Sequence, residues 1–392
     1  MSGALLVCGA TSGAGKSTVT SALCRIWSDA GRDVAPFKAQ NMSNHAAVTA
    51  DGGEIGRAQA MQAMAARVAP DRRMNPILLK PSAAQTSHLV VLGEEVSVTD
   101  AAGYGEVAHG LRDVVLDAFT SLRKEHDWVV AEGAGGAAEI NLLDRDLVNL
   151  PLAAAANMPA IVVVDIDRGG AFASAYGTWA LLPDRLRPQV RGFVFNQFRG
   201  DPSLLEPGHA ELTDRTGVPV LGVLPHLGHH PMLGLEDSLD LGATTRPASS
   251  PSPVRVAVVR LPHLANPSDF DPLVMEPSVG LRQTGSGFEI RWGRPVTGEP
   301  WDAAFEGSRR GSVHGTSVHG LFDDGAFRHS FLGEVARSRG RRYEPSPVPF
   351  HAAVDAHLDH LATWLGEHLD LDAVNEIAAS ALPAPAAPGW VR

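Results

Sequence analysis

The chain has 392 residues, 44% of them apolar and 20% charged, a length that suits two or three domains, each large enough to bury its own core. Lys and Arg number 33 against 44 Asp and Glu, and a net charge of -11 argues against coating nucleic acid or an anionic membrane. Forty Gly and 28 Pro without a G-X-Y period exclude collagen, and recurring apolar segments exclude disorder for most of the chain.

Two cysteines, Cys8 and Cys24, exclude a disulfide framework and a Cys-rich zinc module. The start, MSGALLVCGATSGAGKST, lacks the basic region and the long apolar run of an export signal. The longest apolar region, 147–164, is broken by Asn149, Pro151, Asn157 and Pro159 and is not expected to span a bilayer. These features are those of a soluble cytoplasmic protein.

In chain order, strands are expected at 4–8, 34–37, 89–92, 128–131, 161–164, 192–195 and 220–223. Helical patterns such as 18–29, 54–68 and 110–124 lie between them. Several strands are apolar on both faces, as in a parallel sheet covered by helices. The alternation predicts an α/β fold with a doubly wound, mostly parallel sheet over 1–242, whose ligand belongs at the carboxyl ends of the strands. The stretch ATTRPASSPSP at 243–253 reads as a linker. A strand at 254–260 opens a second, smaller α/β domain that runs through an apolar helix near 352–369 to about residue 375, and 376–392 reads as a flexible tail.

The strongest motif is GATSGAGKST, 9–18, directly after the first strand and directly before a helix, the context a phosphate-binding loop requires. Gly9, Thr11, Ser12, Gly13, Ala14 and Gly15 supply backbone N–H groups to phosphate oxygens, glycines permitting the tight turn. Lys16 places charge at the β and γ phosphates, Ser17 offers its hydroxyl to Mg2+, and Thr18 lies in the first turn of a helix whose dipole favours an anion. The usual first glycine is displaced: Ala10 stands there, with Gly9 one residue earlier. Glu132 ends an apolar strand and precedes Gly133, Ala134, Gly135 and Gly136, a carboxylate well placed to reach a bound nucleotide and its metal.

The displaced-glycine loop resembles that of dethiobiotin synthetase and the cobyrinate amidating enzymes. The strings APFKAQNMSNHAAVTADGGEIGRAQAMQA (35–63), MNPILLKP (74–81), VVAEGAGGAAEINLLDRD (129–146), VVDIDRGGAFA (163–173), GFVFNQFRGDPSLLEPG (192–208) and LGVLPH (221–226) resemble cobyric acid synthases across nearly the whole first domain. The resemblance implies an ATP- and Mg2+-dependent ligase of cobalamin biosynthesis that amidates corrin carboxylates, taking adenosylcobyrinic acid a,c-diamide to cobyric acid with ammonia drawn from glutamine. A carboxylate is a poor acylating agent, so such a reaction first needs an acyl phosphate. By the same resemblance Lys38 bridges the γ-phosphate and the carboxylate, Asp51 joins Ser17 and Glu132 at the metal, and Asn196 reads adenine. Asp51 and Glu54 also read as an N-cap and first-turn acid for a helix from Ile55. Asp165, Asp167, Arg168, Gly169 and Gly170 follow another strand and are expected to line the substrate side.

The segments 254–281, 286–295 and 313–332 resemble the opening and the end of that family's glutamine amidotransferase domain, while the middle, with its nucleophilic cysteine turn, is missing. His319 matches the glutaminase histidine but has no thiol to deprotonate, so glutaminase activity is not expected. Ammonia then comes free or from a separate glutaminase. His226, His229 and His230, and His357 with His360, lack the partners of a metal site. Trp292 and Trp364 read as core. The alternatives are a partitioning-type ATPase switch, against which Thr11 stands where such proteins carry a second lysine, and an inactive remnant. A homodimer is left open.

Overall fold

A computed structural model describes residues 2–82, 86–228, 254–260, 267–277, 279–286, 302–304, 307–310, 313–315 and 319–380. The expected linker 243–253, His229, His230, Trp292 and the tail beyond 380 lie outside them. The described residues form two compact units, one from 2–228 with 355–380 and one from 254–354.

The first unit begins with β1 (Gly3–Gly9), α1 (Lys16–Asp29), β2 (Val34–Phe37), β3 (Gln40–Met42), the hairpin β4 (Ala46–Val48) and β5 (Glu54–Gly56), and α2 (Arg57–Ala65). It continues with β6 (Ile77–Pro81), β7 (Thr86–Val91), β8 (Glu94–Asp100), α3 (Ala101–Glu125), β9 (Trp128–Glu132) and α4 (Leu150–Ala155). Then come β10 (Ala160–Asp165), α5 (Ala171–Leu181), β11 (Val190–Phe198), α6 (Glu206–Thr216) and β12 (Val220–Pro225).

Six strands form one sheet in the order β12-β11-β10-β1-β9-β2, and every neighbouring pair is parallel. The reason is visible in β1 and β10: Leu5, Leu6, Val7 and Cys8, like Ile161, Val162, Val163 and Val164, are fully buried, so both faces need helical cover. After β1 the chain runs to β2 at one edge and returns to β9, then crosses to β10 on the other side of β1. That reversal puts the loop after β1 at the crevice where doubly wound sheets bind ligands.

The sequence reading placed 89–92 among the strands of this sheet. Those residues fall mainly in β7, which belongs to a separate four-stranded sheet, β3-β6-β7-β8, and pairs antiparallel with both β6 and β8. A short apolar run does not reveal which sheet it joins.

In the second unit β13 (Val254–Arg260), α7 (Asp271–Val274), β14 (Val279–Ser286), the three-stranded β15 (Asp302–Ala304), β16 (Gly307–Arg310) and β17 (Val313–Gly315), and α8 (Gly325–Ser338) follow in order. β13 and β14 are parallel. Glu276 is fully buried and accepts from Arg328 Nε at 2.8 Å, Tyr343 at 2.7 Å and the Ser346 N–H at 2.8 Å, so the unit carries an organised polar centre beside its small apolar core.

The last helices, α9 (Phe350–His368) and α10 (Leu371–Ala379), differ from the sequence reading, which ran the second domain to residue 375 and took 376–392 as a flexible tail, whereas 376–379 are helical with Ile377 and Ala378 buried. From Asp355 onward they belong to the first unit. Fully buried Arg25 on α1 pairs with Asp355, Asn375 accepts from Trp27 Nε1 at 2.8 Å and Arg32 Nη1 at 3.0 Å, and Trp364 Nε1 donates to the Pro225 carbonyl at 3.3 Å.

On α6, His209 stacks on Phe195 of β11 with ring centroids 5.3 Å apart, and its Nε2 is buried with no hydrogen-bond partner among the described residues. Burial lowers its pKa below the ordinary 6.5. The unfolded chain therefore takes up a proton that the folded one resists, so this contribution is present above about pH 6.5 and is lost as pH falls through the depressed folded value. Urea midpoints measured at pH 7.5 and 5.5 are expected to differ less in His209→Leu than in the parent chain. An unchanged difference would contradict the assignment.

Candidate active site

The loop after β1 is shaped by close approach. A Cβ on Gly9 would stand 2.7 Å from the Thr11 carbonyl and 3.0 Å from Lys16 Nζ, which explains why the glycine is needed one residue earlier than usual. Gly15 caps α1 at φ +97°, and a Cβ there would lie 2.0 Å from the Asn196 amide nitrogen. Thr11, Ser12 and Gly13 are exposed at the crest, while Ala14, Lys16 and Ser17 are buried and Thr18 is half-buried. Lys16 Nζ donates to the carbonyls of Thr11 and Gly135, each at 3.1 Å, and so spans the loop and the turn after β9. A Gly15→Ala variant is expected to bind nucleotide about tenfold or more weakly, since forcing a non-glycine residue into that conformation costs about 1–3 kcal/mol. Titration with a fluorescent nucleotide checks it, and parental affinity would contradict it.

Below the loop the parallel sheet brings the ends of β2 and β9 side by side. Glu132, 1% exposed, accepts from Ser17 Oγ at 2.9 Å and from Lys38 Nζ at 2.9 Å, both on Oε1. Gln62 of α2 donates to Oε2 at 2.5 Å. Three donors thus surround one buried carboxylate, and Lys38, itself 4% exposed, forms an ion pair with it. The turn behind it is braced by Asn149, whose Nδ2 donates to the Ala134 carbonyl at 2.9 Å and to Asp146 at 3.0 Å. Burial raises the Asp146 carboxyl above its ordinary range, although the N–H groups of Val148 and Asn149 also donate to it.

The sequence-selected residues thus divide. Lys16, Ser17, Lys38 and Glu132 converge. Asn196, expected to read adenine, donates from Nδ2 to the Ala14 carbonyl at 2.9 Å and so holds the loop from β11. Asp51 sits in the β4–β5 turn, accepts from Thr49 and pairs with Arg72 at 2.8 Å. Its hydrogen bonds run to the hairpin and Arg72 rather than to Ser17 or Glu132. The N-cap reading is corrected as well: α2 starts at Arg57 behind Gly56, and Glu54 lies in β5, paired with Lys80 at 2.6 Å. The hairpin consumes the residues that the helix was expected to contain.

Asp167 pairs with Arg199 at 3.0 Å beside exposed Arg168. In the second unit His319 Nδ1 lies 2.7 Å from Asp269, whose other oxygen accepts from the Gly320 N–H at 3.1 Å. Both cysteines are fully buried in the first unit, and burial pushes both thiols up. Gln62 was not selected from sequence. A glutamine inside a helix reads as solvent-facing, and only the fold shows it to be fully buried against Glu132.

Ser17 Oγ and a Glu132 oxygen form a pair of hard oxygen donors that fits a Mg2+ ion. Among the described residues no group of three or more His, Cys, Asp or Glu could hold a metal, and no helix is long and apolar enough to cross a membrane.

The fold and this loop define a nucleotide-binding domain of the P-loop class, and residues 5–229 match the family model described as "CobQ/CobB/MinD/ParA nucleotide binding domain". The chain belongs to the cobyric acid synthase family. It is 39% identical to a cobyric acid synthase of Mycolicibacterium paratuberculosis over 491 aligned positions that cover 98% of both chains, and 38% identical to one of Frankia casuarinae over 513 positions, again covering 98% of both. An alignment of 491 positions against a chain of 392 residues leaves at least 99 positions with no residue here. Among solved structures, the signal recognition particle receptor FtsY of Elizabethkingia anophelis with GDP matches at a TM-score of 0.34 and 17% identity, over 57% of each chain.

Proposed function

We propose that this chain is an ATP-dependent amide ligase acting on a corrin carboxylate of the adenosylcobyrinic acid a,c-diamide type, in the cytoplasm, with ammonia supplied free or by a separate glutaminase. The observation that carries it is the convergence of Lys16, Ser17, Lys38 and Glu132 under a loop built to cradle phosphates.

In the first step a substrate carboxylate oxygen attacks the γ-phosphorus in line, the bond to the β–γ bridging oxygen breaks, and ADP departs, leaving an acyl phosphate. Loop N–H groups and Lys16 are poised to hold the β and γ phosphates, and Lys38 sets positive charge where the two anions meet. Mg2+ held by Ser17 and Glu132, with Asp51 as a further candidate ligand, would neutralise phosphate charge. In the second step ammonia attacks the acyl carbon, the carbon–oxygen bond to phosphate breaks, and nitrogen loses a proton to give the amide.

The proposed nitrogen source is supported by what the second unit carries. His319 is oriented by Asp269, yet no cysteine occurs after Cys24, and at least 99 positions of the relative have no counterpart here. A histidine without a nucleophile does not open glutamine. With ATP, Mg2+ and a corrin acid, ammonium is expected to support amide formation where glutamine does not. Equal rates with glutamine would overturn the donor assignment, and no amide with ammonium would overturn the ligase reading.

A further inference from the structure

We propose that Gln62 is a positioning residue for Glu132, holding one oxygen of that carboxylate so that the other stays aimed at Ser17 and Lys38. The inference rests on the reading of Glu132 as a metal-side carboxylate, and it extends the site to α2, an element that follows the β4–β5 hairpin rather than a strand of the six-stranded sheet.

A buried glutamate at the end of a strand has freedom about its last torsion, a broad and roughly two-fold one. Ser17 and Lys38 hold the carboxylate through Oε1 alone. Gln62 adds a hold on its other side, donating its Nε2 to Oε2 at 2.5 Å from a side chain that is itself fully buried, and so resists rotation about that torsion. α2 is anchored in turn: the Gly56 N–H donates to Asn75 Oδ1 at 2.9 Å, Asn75 Nδ2 donates to the Lys38 carbonyl at 3.0 Å, and Asn41 Nδ2 donates to Gln59 Oε1 at 3.2 Å. The helix that carries Gln62 and the strand end that carries Lys38 are therefore set against each other by side-chain amides.

The second observation concerns the other end of the amide. Gln62 Oε1 is buried and has no hydrogen-bond partner among the described residues. A buried acceptor without a donor is uncommon, and such an atom beside a metal-side carboxylate marks where a donor is to be received. The donor that chemistry supplies there is the O–H of a water carried by a divalent cation, since a small hard cation keeps several waters when it binds through few protein oxygens. Gln62 thus offers a donor to the carboxylate and an acceptor to the cation's hydration.

The test separates divalent-cation dependence from fold. ADP affinity is measured by calorimetry with excess EDTA and across a Mg2+ series, for the parent chain, Gln62→Met and Gln62→Asn, with melting temperature recorded for each. Removing a group that orients a metal ligand typically costs ten- to a hundredfold in metal affinity, so the Mg2+ half-saturation of Gln62→Met is expected to rise about tenfold. ADP affinity in EDTA should stay within about twofold, since the loop is untouched. Gln62→Asn keeps a buried amide with a shorter reach, is expected to show the same rise, and decides the matter if the methionine variant does not fold. An unchanged Mg2+ midpoint, with only a lower melting temperature, overturns the proposal and leaves the ligase reading standing. Absence of ADP binding by the folded parent chain overturns that reading, and this inference with it.

Discussion

Replacing Lys16 with alanine is expected to lower ATP-dependent turnover about a thousandfold, the range seen when one preorganised charge-stabilising group is removed from an active site. The folded state should be nearly indifferent. Lys16 bonds to the carbonyls of Thr11 and Gly135, beside an exposed crest at Thr11, Ser12 and Gly13 where water can replace the lost donor. Unfolding free energy is expected to change by less than about 1 kcal/mol. Phosphate release with a corrin acid and ammonium, measured alongside urea denaturation, checks both halves. A variant that turns over ATP at the parental rate would remove the loop from the mechanism.

Truncating Glu132 is expected to behave differently, because it is costly to the fold as well as to the chemistry. In Glu132→Ala the Lys38 ammonium, 4% exposed, loses its carboxylate, and Gln62 Nε2 and Ser17 Oγ lose their acceptor. Removing one member of a buried ion pair costs about 3–5 kcal/mol. Glu132→Gln keeps an acceptor of the same shape and should recover part of that stability while turnover stays low, since an amide oxygen is a poor metal-side ligand. Urea unfolding ranks the three chains as parent, glutamine, alanine. If the alanine variant matched the parent in stability, the buried pair would not have the energetic role given to it.

The contrast between these two lysine-bearing clusters shows what could be seen in the sequence. The loop was legible because strand, Gly9, Gly13-Ala14-Gly15-Lys16-Ser17 and helix occur in contiguous register, and backbone geometry follows directly from local spacing. Lys38 and Glu132 were legible at the ends of apolar strands, Lys38 directly after β2 and Glu132 closing β9, since a parallel sheet presents its strand ends to the ligand. What stayed hidden depends on packing between distant segments. Asn196 lies far along the chain from Ala14, and the 2.9 Å bond between them exists only because β11 reaches the loop beside β10 and β1. Gln62 shares that dependence. The apolar run in β7 is short, with Leu89 and Val90 both buried, so nothing local assigned it to the antiparallel sheet rather than the parallel one. The Asp51–Glu54 region misled for a related reason. Its acids before an Ala-rich run mimic a helix start, whereas the two glycines between them serve a hairpin turn, with Gly52 at φ +83°.

The second unit gives the complementary lesson. The absence of a cysteine after Cys24 was available by inspection, and it bears on chemistry without any fold. The pairing of His319 with Asp269 was not, because the two are fifty residues apart and meet only through the turn at Gly320.

The most direct measurement is calorimetric titration of the folded chain with a non-hydrolysable ATP analogue and Mg2+, repeated at two temperatures so that a small enthalpy at one does not hide binding. The account predicts saturable binding at one site per chain that is lost in Lys16→Ala. No heat at either temperature from folded protein, or equal binding by the Lys16→Ala variant, would contradict it.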